Sequence, residues 1–570
     1  MGSANSTLQH WKATNTVSID VLIVGGRVID GTGNPWFSGD VAIADGNVAR
    51  VAPAGVIDPN GANEVIDAAG HVVCPGFIDI QSHSIMPFLT DRRSLSKVTQ
   101  GVTTEILGES WTPAPFGGEI DVPFARGNRR SIGDSFDEWQ ERARGWTRFG
   151  DWLTDLAGRG VSVNVGSFIG GGTVREYAMA RRMGEPTPAE LATMRQVMAD
   201  AMQDGAFGIA TALIYPPGAY AGTDELVAIC EVVAAYNGVH ITHIRSEGDA
   251  LFEGLAEAIE IGDRAGVATE IYHLKALGRA NWHKMPEVIA RIDAARARGL
   301  DIGADMYPYD GSGTGLAACL PPWASAEGKR HDNLRDPAMR AKILAEMREP
   351  TEHWENLGAR SEPDNIILCG FEHPDLQQYG AMRLSDVAVA MGLDWHEAII
   401  VLLDTEGHDI FTMYLAITEE NLHLQFKQPW IKFGTDAGGY DPAREAQGGL
   451  THPRAYGTYP RILGRYVRDE GALPLEDAVR KASSAVADRL SLRDRGLLRD
   501  GMAADVVVFD PATVADRATY TDPHHLSVGI RDVFVNGVAV LRDGEHTGAM
   551  PGQRVNGPGF GRSVDWDHTG

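Results

Sequence analysis

The feature that most constrains this chain is a repeated strand–helix unit whose strands end in polar side chains. Strand-like runs end at His243, His273 and Tyr307, about 30 residues apart, and helical stretches lie between them. That spacing is the length of one βαβ unit, so it predicts parallel strands in one sheet. Eight strand-like runs fit this description, and they end at His83, Gly108, Ser167, Thr211, His243, His273, Tyr307 and Asp436. The pattern therefore predicts an α/β fold, a TIM-like (β/α)8 barrel.

A different, all-β pattern occupies both ends of the chain. Short strand-like runs separated by Gly and Asp turns fill residues 18–73, and similar runs recur in 486–551. Because chain ends often lie close together, the two halves are expected to form one small β-sandwich beside the barrel. The barrel then spans 74–485. It carries a long insertion, 308–429, which must have its own structure and is expected to cover the active face.

Composition excludes several classes of function. The 570 residues include 51 Lys and Arg against 77 Asp and Glu, a formal charge of −26, which argues against a nucleic-acid or anionic-membrane partner. No apolar run approaches the roughly 20 residues that span a bilayer, and the polar leader at 1–17 has no signal-peptide core. Four cysteines without a CxxC pair predict reduced thiols in a cytoplasmic protein. Residues 552–570, rich in Gly and charge, predict an arm or frayed tail.

Polar side chains that would line the mouth of the barrel form one constellation. Five of them close four of the strand-like runs: Gln81, His83, His243, His273 and Asp436. Since strand residues alternate between faces, Gln81 and His83 point the same way, into the barrel mouth. One such histidine is more often structural, but imidazole and carboxylate groups gathered at one rim are the ligand set of catalytic zinc sites. The pattern therefore predicts a divalent metal site.

Several longer motifs resemble one known family. The PGFID segment at 75–79 is similar to the amidohydrolase superfamily of metal-dependent hydrolases. Within it the chain most resembles the N-acyl-D-amino-acid deacylases (D-aminoacylases), over nearly its whole length. The matching segments read TQGVTT at 99–104, LIYPPGAY at 213–220, THIRSE at 242–247, YPY at 307–309, HPRAYGT at 452–458 and DGEHTG at 543–548. The resemblance implies a hydrolase acting on linear amides.

The resemblance also implies roles for individual residues. By position, His243 and His273 would bind the tightly held metal, and Asp436 would be the catalytic carboxylate. His83 corresponds to the second histidine of the family's His-x-His pair and would contribute to a second site with Asp436. The first histidine of that pair is Gln81 here, a poor zinc ligand. A second metal ion is therefore expected to be weak or absent.

The third ligand to the tightly held metal is a further departure from the family pattern. The family often supplies a cysteine after the second strand, in a Gly-Asn-Cys-Gly sequence. This chain reads Gly108-Glu109-Ser110-Trp111, with Ser110 at the cysteine position. A serine hydroxyl is a weak zinc ligand and a carboxylate a good one, so we expect Glu109 to replace the thiolate. The alternative is a solvated or helix-capping Glu109.

The implied reaction is deacylation of an N-acyl amino acid, by resemblance of D configuration, to a carboxylate and a free amino acid. One tightly bound Zn²⁺, held by Glu109, His243 and His273, would activate a water molecule. Asp436 would accept the proton of that water as general base and return it to the departing amine as general acid.

Three further residues are candidates for binding substrate. Arg454 has a planar fork that matches a substrate carboxylate bidentately, and its alternative role is to brace a loop. Lys275 would lie near the substrate by resemblance. Tyr307 or His83 would help to stabilise the oxyanion of the tetrahedral intermediate.

Two other functions remain open at this point. The same chemistry could act on a cyclic amide or imide, a lactone, or a peptide-like or xenobiotic amide, because one fold hosts many substrates. Gln81 and Ser110 suggest the other alternative, a metal-free scaffold without enzymatic activity. The expected partner is a small-molecule amide, with no nucleic acid and no membrane, and a homo-oligomer is left open.

Overall fold

A computed structural model of the chain describes residues 18–125, 129–349 and 354–566. The leader predicted at 1–17 and the end of the predicted tail, 567–570, lie outside the described residues. Within the described ranges, every helix is too short or too polar to cross a membrane. All four cysteines lie in these ranges and are buried and unpaired: Cys74, Cys230, Cys319 and Cys369.

Strands from both ends of the chain pair in one sheet. In chain order the strands are β1 (Ile19–Val28), β2 (Phe37–Ala44), β3 (Asn47–Pro53), β4 (Ala62–Asp67), β5 (Val72–Pro75), β6 (Phe77–Asp79), β7 (Val102–Leu107), β8 (Asn164–Ser167), β9 (Ile169–Gly170), β10 (Gly208–Ala212), β11 (Val239–His243), β12 (Ala268–Ile271), β13 (Ile302–Met306), β14 (Ser312–Gly315), β15 (Ile366–Leu368), β16 (Phe411–Tyr414), β17 (Ile431–Phe433), β18 (Val506–Phe509), β19 (Ile530–Val535), β20 (Val538–Arg542) and β21 (Glu545–His546). Among the described residues, nine strands pair in the order β21-β20-β19-β18-β5-β1-β2-β3, with β4 beside β1. Ile23 of β1 and Val508 of β18 are fully buried in the same apolar cluster, so each end of the chain covers the other.

Parallel strands form the second part of the fold. β6, β7 and β8 pair side by side, and β9, β10, β11, β12, β13 and β17 pair in that order. Contacts at both edges connect these sheets: Phe207 N donates to Ser167 O at one edge, and Ser82 and Ala437 form a parallel bridge at the other. Since all these strands run the same way, their carboxyl ends meet at one face.

Helices follow most of the parallel strands. The helices are α1 (Ile85–Thr90), α2 (Leu95–Val98), α3 (Arg129–Ile132), α4 (Phe136–Ala143), α5 (Phe149–Gly158), α6 (Gly171–Met179), α7 (Pro188–Gln203), α8 (Thr223–Ala235), α9 (Leu251–Ala265), α10 (Met285–Ala297), α11 (Arg330–Arg335), α12 (Pro337–Arg348), α13 (Leu357–Ser361), α14 (Leu384–Met391), α15 (Trp395–Glu406), α16 (Glu419–Phe426), α17 (Pro442–Glu445), α18 (Arg454–Arg461), α19 (Leu475–Ala482) and α20 (Ser484–Arg489). In α9, Leu251, Leu255 and Ala258 recur at helical spacing on the buried face, and Gly266 ends the helix with φ +62°.

The insertion 308–429 has its own secondary structure. Its strands pair antiparallel in the order β14-β16-β15, and α11 to α16 surround them. Ala416 O accepts hydrogen bonds from Gly278 N and from the Trp282 indole, which attach the insertion to the loops after β12. β14 crosses the face where the parallel strands end, and there Gly313 O accepts from Arg454.

Residues 552–566 belong to the segment predicted as an arm or frayed tail, and they pack against the parallel strands. Gly552 N donates to Val161 O, and Arg554 forms a parallel bridge with Val165 beside β8. Val555 is buried in an apolar cluster with residues of the parallel strands. Glycine-rich composition suggested mobility, but here the small residues let the segment run close against the neighbouring backbone.

Candidate active site

The predicted site residues converge at the carboxyl ends of the parallel strands. His243 ends β11 as predicted, but β6, β12 and β17 stop two to four residues short of His83, His273 and Asp436. The backbone gives the reason, because φ is +35° at His273 and +50° at Asp436, a left-handed conformation that a strand cannot contain. These side chains therefore lie in the first turns of the loops that follow the strands.

Glu109 is placed by a tight turn after β7. Gly108 has φ +110°, and a Cβ atom there would lie 2.2 Å from the carbonyl oxygen of Phe168, so this position requires glycine. Glu109 then lines the cavity at the strand ends. Ser110, the residue at the family's cysteine position, instead contacts Gly172, whose backbone N–H donates to its carbonyl.

Glu109, His243 and His273 form a cluster that we call the triad. Glu109 Oε1 lies 3.5 Å from His243 Nδ1 and 3.8 Å from His273 Nε2, and the two imidazoles meet edge to face. Ligand atoms about 2.0–2.2 Å from a tetrahedral zinc lie about 3.3–3.6 Å from one another, so this donor set fits the ion. Burial raises the pKa of Glu109, but hydrogen bonds with the histidines outweigh it and hold the pKa well below its ordinary value.

Glu247 and Lys275 hold the triad histidines from the side away from Glu109. Lys275 Nζ donates to Glu247 Oε1 at 2.6 Å and lies 2.7 Å from His273 Nδ1. Glu247 Oε2 lies 3.6 Å from His243 Nε2. His243 Nε2 makes no hydrogen bond to the described residues, so the orienting contact, of the kind found behind metal-binding histidines, is the one at His273. Sequence reasoning gave Glu247 no role, although its position in the THIRSE motif, four residues after His243, was an available signal.

Gln81, His83 and Asp436 form a second group, which we call the Gln81 cluster. Gln81 Nε2 donates to Glu109 Oε2 at 2.6 Å and to Asp436 Oδ1 at 3.2 Å. His83 Nε2 lies 2.8 Å from the same oxygen of Asp436. The ligand atoms of His83, Glu109 and Asp436 are close enough to share an ion. The Gln81 amide, however, already donates to both carboxylates, so an ion there would compete with it for their oxygens.

Asp436 is buried between the Gln81 cluster and a cation. Arg454 Nη1 lies 2.7 Å from Asp436 Oδ2, and the guanidinium stacks over the Tyr307 ring, 4.7 Å from its centroid. Burial raises the pKa of Asp436, but the charge of Arg454 and contacts with His273 and His83 lower it to about 2. Among the described residues, the buried Tyr307 hydroxyl has no hydrogen-bond partner. Burial raises its pKa well above the ordinary value, so it stays a proton donor.

A completely buried lysine fixes the loops that carry these groups. Lys97 Nζ donates to Asp79 Oδ2 at 2.5 Å, to the Thr435 hydroxyl and to Ala437 O. These contacts hold the chain just before His83 to the chain on both sides of Asp436. Neither the periodicity nor the motifs of the sequence indicated this role for Lys97.

The two groups face one cavity of about 300 Å³ beneath the insertion. All the sequence-predicted site residues line it: His83, Glu109, His243, His273, Lys275, Tyr307, Asp436 and Arg454. The insertion adds Ser312, Gly313, Thr314, Gly315, Leu357 and Phe411 to the wall. The cavity therefore combines ionisable groups on the strand side with an uncharged roof.

The chain is similar to characterised proteins over nearly its whole length. The profile of the amidohydrolase family matches residues 64–350 and 424–541, and the gap between them lies inside the insertion. N-acyl-D-glutamate deacylase from Alcaligenes xylosoxydans xylosoxydans is 34% identical over 529 residues, which cover 92% of this chain and 94% of that protein.

Solved structures of similar proteins agree with the sequence comparisons. Structures of D-aminoacylase overlay with a TM-score of 0.78 at 29% identity, over 94% of this chain and 100% of theirs. One of them concerns a binuclear metal centre with one-metal activation and second-metal attenuation. N-acyl-D-glutamate deacylase from Bordetella bronchiseptica, complexed with zinc and a phosphonate inhibitor, has the same TM-score at 30% identity, over 95% of this chain and 100% of its own. The chain therefore belongs to the amidohydrolase family, in its N-acyl-D-amino-acid deacylase branch.

Proposed function

We propose that this chain is a zinc-dependent amide hydrolase that cleaves N-acyl-D-amino acids into a carboxylate and the free amino acid. The observation that carries the proposal is the convergence of the three triad donor atoms beside the buried carboxylate of Asp436. The deacylases that match over nearly their whole length support the reaction class.

The triad is the proposed zinc site. A bound zinc ion would lower the pKa of a coordinated water and polarise the substrate carbonyl. The protein contributes the charged carboxylate of Glu109, the nearby charge of Glu247, and the ring orientation that Glu247 and Lys275 impose on His273. Because the Gln81 amide already donates to the carboxylates of the second position, we propose one tightly bound ion and a weak or absent second one.

Asp436 is the proposed proton carrier. Its depressed pKa keeps it ionised at neutral pH, and contacts with Gln81, His83 and Arg454 hold both oxygens in place. The carboxylate accepts a proton from the attacking water, whose oxygen bonds to the acyl carbon. Asp436 then returns that proton to the amine nitrogen as the carbon–nitrogen bond breaks.

Arg454 is the proposed partner of the substrate carboxylate. It is buried in the cavity wall, and its Nε has no protein hydrogen-bond partner. The Tyr307 hydroxyl or the His83 imidazole is the proposed donor to the oxyanion of the tetrahedral intermediate. Lys275 lines the same cavity, although its ammonium is engaged by Glu247 and His273, and its contact with substrate is part of the proposal.

We also infer the finer architecture that places this site. The order of the parallel strands, with the Ser82–Ala437 bridge beside β6 and β17, supports a closed TIM-like barrel over 74–485. The nine-stranded sheet has one apolar cluster shared by its two ends, which supports a β-sandwich made from 18–73 and 486–551.

The direct test compares the zinc-loaded protein with the chelator-stripped protein on N-acyl-D-amino acids, N-acyl-L-amino acids and cyclic imides. We expect zinc-dependent turnover of the D series. Glu109→Ala should lower the zinc content from about one equivalent to less than about half. Turnover that survives complete removal of the metal would contradict the proposal, and a native protein without zinc or activity would favour the scaffold alternative.

A second variant separates the linear substrate from its cyclic alternatives. Arg454→Ala should lower kcat/KM for N-acyl-D-amino acids by about a hundredfold or more, because a charge-assisted bidentate contact is lost. Arg461→Ala is the matched control, since Arg461 lies on the same helix but binds Asp516 and Pro308 O. If Arg454→Ala leaves turnover of the D series unchanged, the substrate lacks a free carboxylate at this position.

A further inference from the structure

A second cavity of about 310 Å³ lies next to the catalytic one. The two cavities share four lining residues, Ile214, Tyr215, Thr314 and Gly315. The shared residues come from the loop after β10 and from β14 of the insertion. We call the second space the outer cavity.

The partition between the two cavities is thin. The Tyr215 hydroxyl and the Thr314 hydroxyl are hydrogen-bonded at 2.7 Å. On the catalytic side the Tyr215 ring meets the His243 ring edge to face, with centroids 5.5 Å apart. The Tyr215 ring and its hydrogen bond to Thr314 therefore form part of the wall between the outer cavity and the triad.

Along the sheet, Tyr215 and the proposed carboxylate contact lie on either side of the triad histidines. Tyr215 follows β10, His243 ends β11, His273 follows β12, and Arg454 stacks on Tyr307 after β13. A substrate with its carboxylate at Arg454 and its amide carbonyl at the histidines thus directs its acyl group towards Tyr215.

The lining of the outer cavity suits an uncharged chain. Apolar contacts come from Pro216, Pro217, Ala317, Ala318, Leu320 and Pro322. Its two arginines each lie near a carboxylate, Arg181 at 3.7 Å from Glu176 and Arg330 at 4.0 Å from Asp409. Four acidic side chains line it against these two arginines, so an anionic acyl group would be repelled.

We propose that the outer cavity is an acyl subsite, which takes the distal part of an uncharged, medium-length acyl chain such as octanoyl. The inference rests on the proposed deacylase function and names its substrate class more narrowly. The octanoyl chain of the substrate must displace or pass the Tyr215–Thr314 contact, whereas an acetyl group remains within the catalytic cavity.

The test measures kcat/KM of the zinc-loaded protein for the N-octanoyl and N-acetyl derivatives of one D-amino acid. We expect the octanoyl compound to be favoured by about tenfold or more, because each methylene buried against the apolar side chains of the outer cavity adds discrimination. Ala318→Trp fills the outer cavity and should lower the octanoyl-to-acetyl ratio at least about tenfold. Val389→Trp is the matched control, since Val389 is 81% exposed on α14, and it should keep the wild-type ratio.

The outcomes distinguish the subsite from the reaction itself. A wild-type ratio near or below one, with the acetyl compound hydrolysed, would overturn the subsite alone. An Ala318→Trp ratio equal to that of the wild type would overturn it as well. If neither compound is hydrolysed, the deacylase proposal fails and the subsite fails with it. Competitive inhibition by octanoate, weakened in Ala318→Trp but not in Val389→Trp, would support the subsite independently of turnover.

Discussion

The triad contains Glu109, the Gln81 cluster contacts it, and both groups lie at the same rim, but they differ in what lies between their donor atoms. In the triad, a carboxylate oxygen and two imidazole nitrogens that could ligate one ion face one another, and Glu247 and Lys275 lie at the far sides of the imidazoles. In the Gln81 cluster, an amide NH₂ lies between the carboxylates of Glu109 and Asp436 and donates to both.

This difference shows how one side chain changes the capacity of a metal site. An NH₂ group and a metal cation can each occupy the space between two carboxylates and interact with their oxygens, but only the cation neutralises their negative charge. A histidine at position 81 would offer a ligand nitrogen, whereas Gln81 offers protons. We therefore expect substitutions at the triad to reduce zinc binding, and we expect replacement of Gln81 by a metal ligand to increase it.

The largest expected effect separates chemistry from metal binding. Asp436→Asn should lower kcat by about 10²–10⁴-fold, because the amide cannot accept the proton of the attacking water. Bound zinc should stay near one equivalent, since Asp436 lies outside the triad. Metal analysis and kinetics on the same preparation check both statements. Loss of zinc together with activity would show that the two groups bind one shared ion.

A smaller effect, on zinc affinity, is expected for Glu247, which lies on the side of the histidines away from Glu109. Glu247→Gln should weaken zinc affinity by about 10–100-fold, because the charge that orients and polarises the histidines is removed. Competition with a chromogenic chelator measures the affinity. Glu257→Gln is the matched control, since Glu257 binds Arg245 and Thr223 on the same side of the fold but not the histidines. Equal affinities in the two variants would argue against the orienting role.

Gln81→His should convert the Gln81 cluster into a second metal site. Zinc should rise from about one to about two equivalents in excess metal, because an amide donor is replaced by a ligand nitrogen. Gln81→Leu removes the amide without adding a ligand, so it should stay near one equivalent. Two equivalents in the wild-type protein would contradict the role proposed for the Gln81 amide.

The smallest effect concerns pH in the metal-free protein. Desolvation lowers the pKa of His83, but hydrogen bonds to Asp436 and Glu109 outweigh it and raise the pKa to about 9. A raised histidine pKa contributes stability that is complete below about pH 6.5 and lost as pH rises through about 9. Because the side chain is 42% exposed, we expect the contribution to be small.

The measurement compares metal-free wild type with His83→Asn between pH 6 and pH 10 by thermal unfolding. The wild-type advantage in Tm should be about two degrees or less at pH 6 and should disappear towards pH 10. An advantage that grows with pH would show that His83 is stabilised as the neutral imidazole instead.

Much of the site was predictable because strand periodicity and motif spacing are local properties. The residues ending strand-like runs, His243 above all, follow from alternation and from the regular helix between strands. The predicted strands ending at His273 and Asp436 extend a few residues too far along the chain. The left-handed turns at these two residues, which end the extended backbone, have no clear signal in the side chains themselves. Preference of zinc for carboxylate over hydroxyl favoured Glu109 over Ser110, and Glu109 is the residue that faces the histidines.

The contacts that sequence reasoning missed join distant segments. Lys97 acts through Thr435 and Ala437, more than 330 positions away, and no local pattern contains that pairing. Composition left an arm and a frayed tail equally open for the last residues, because it contains no information on the pairing of Arg554 with Val165 beside β8.

The sequence by itself determined the chemistry available at the rim, since periodicity decides which imidazoles and carboxylates follow the strands. Only the tertiary structure decided what these groups do to one another. The Gln81 amide meets a carboxylate 355 positions away, and Tyr215 meets Thr314 across 99 positions. The physical reason is that hydrogen bonding and metal binding depend on distances of a few ångströms, which are set by the packing of whole elements rather than by neighbours in the chain.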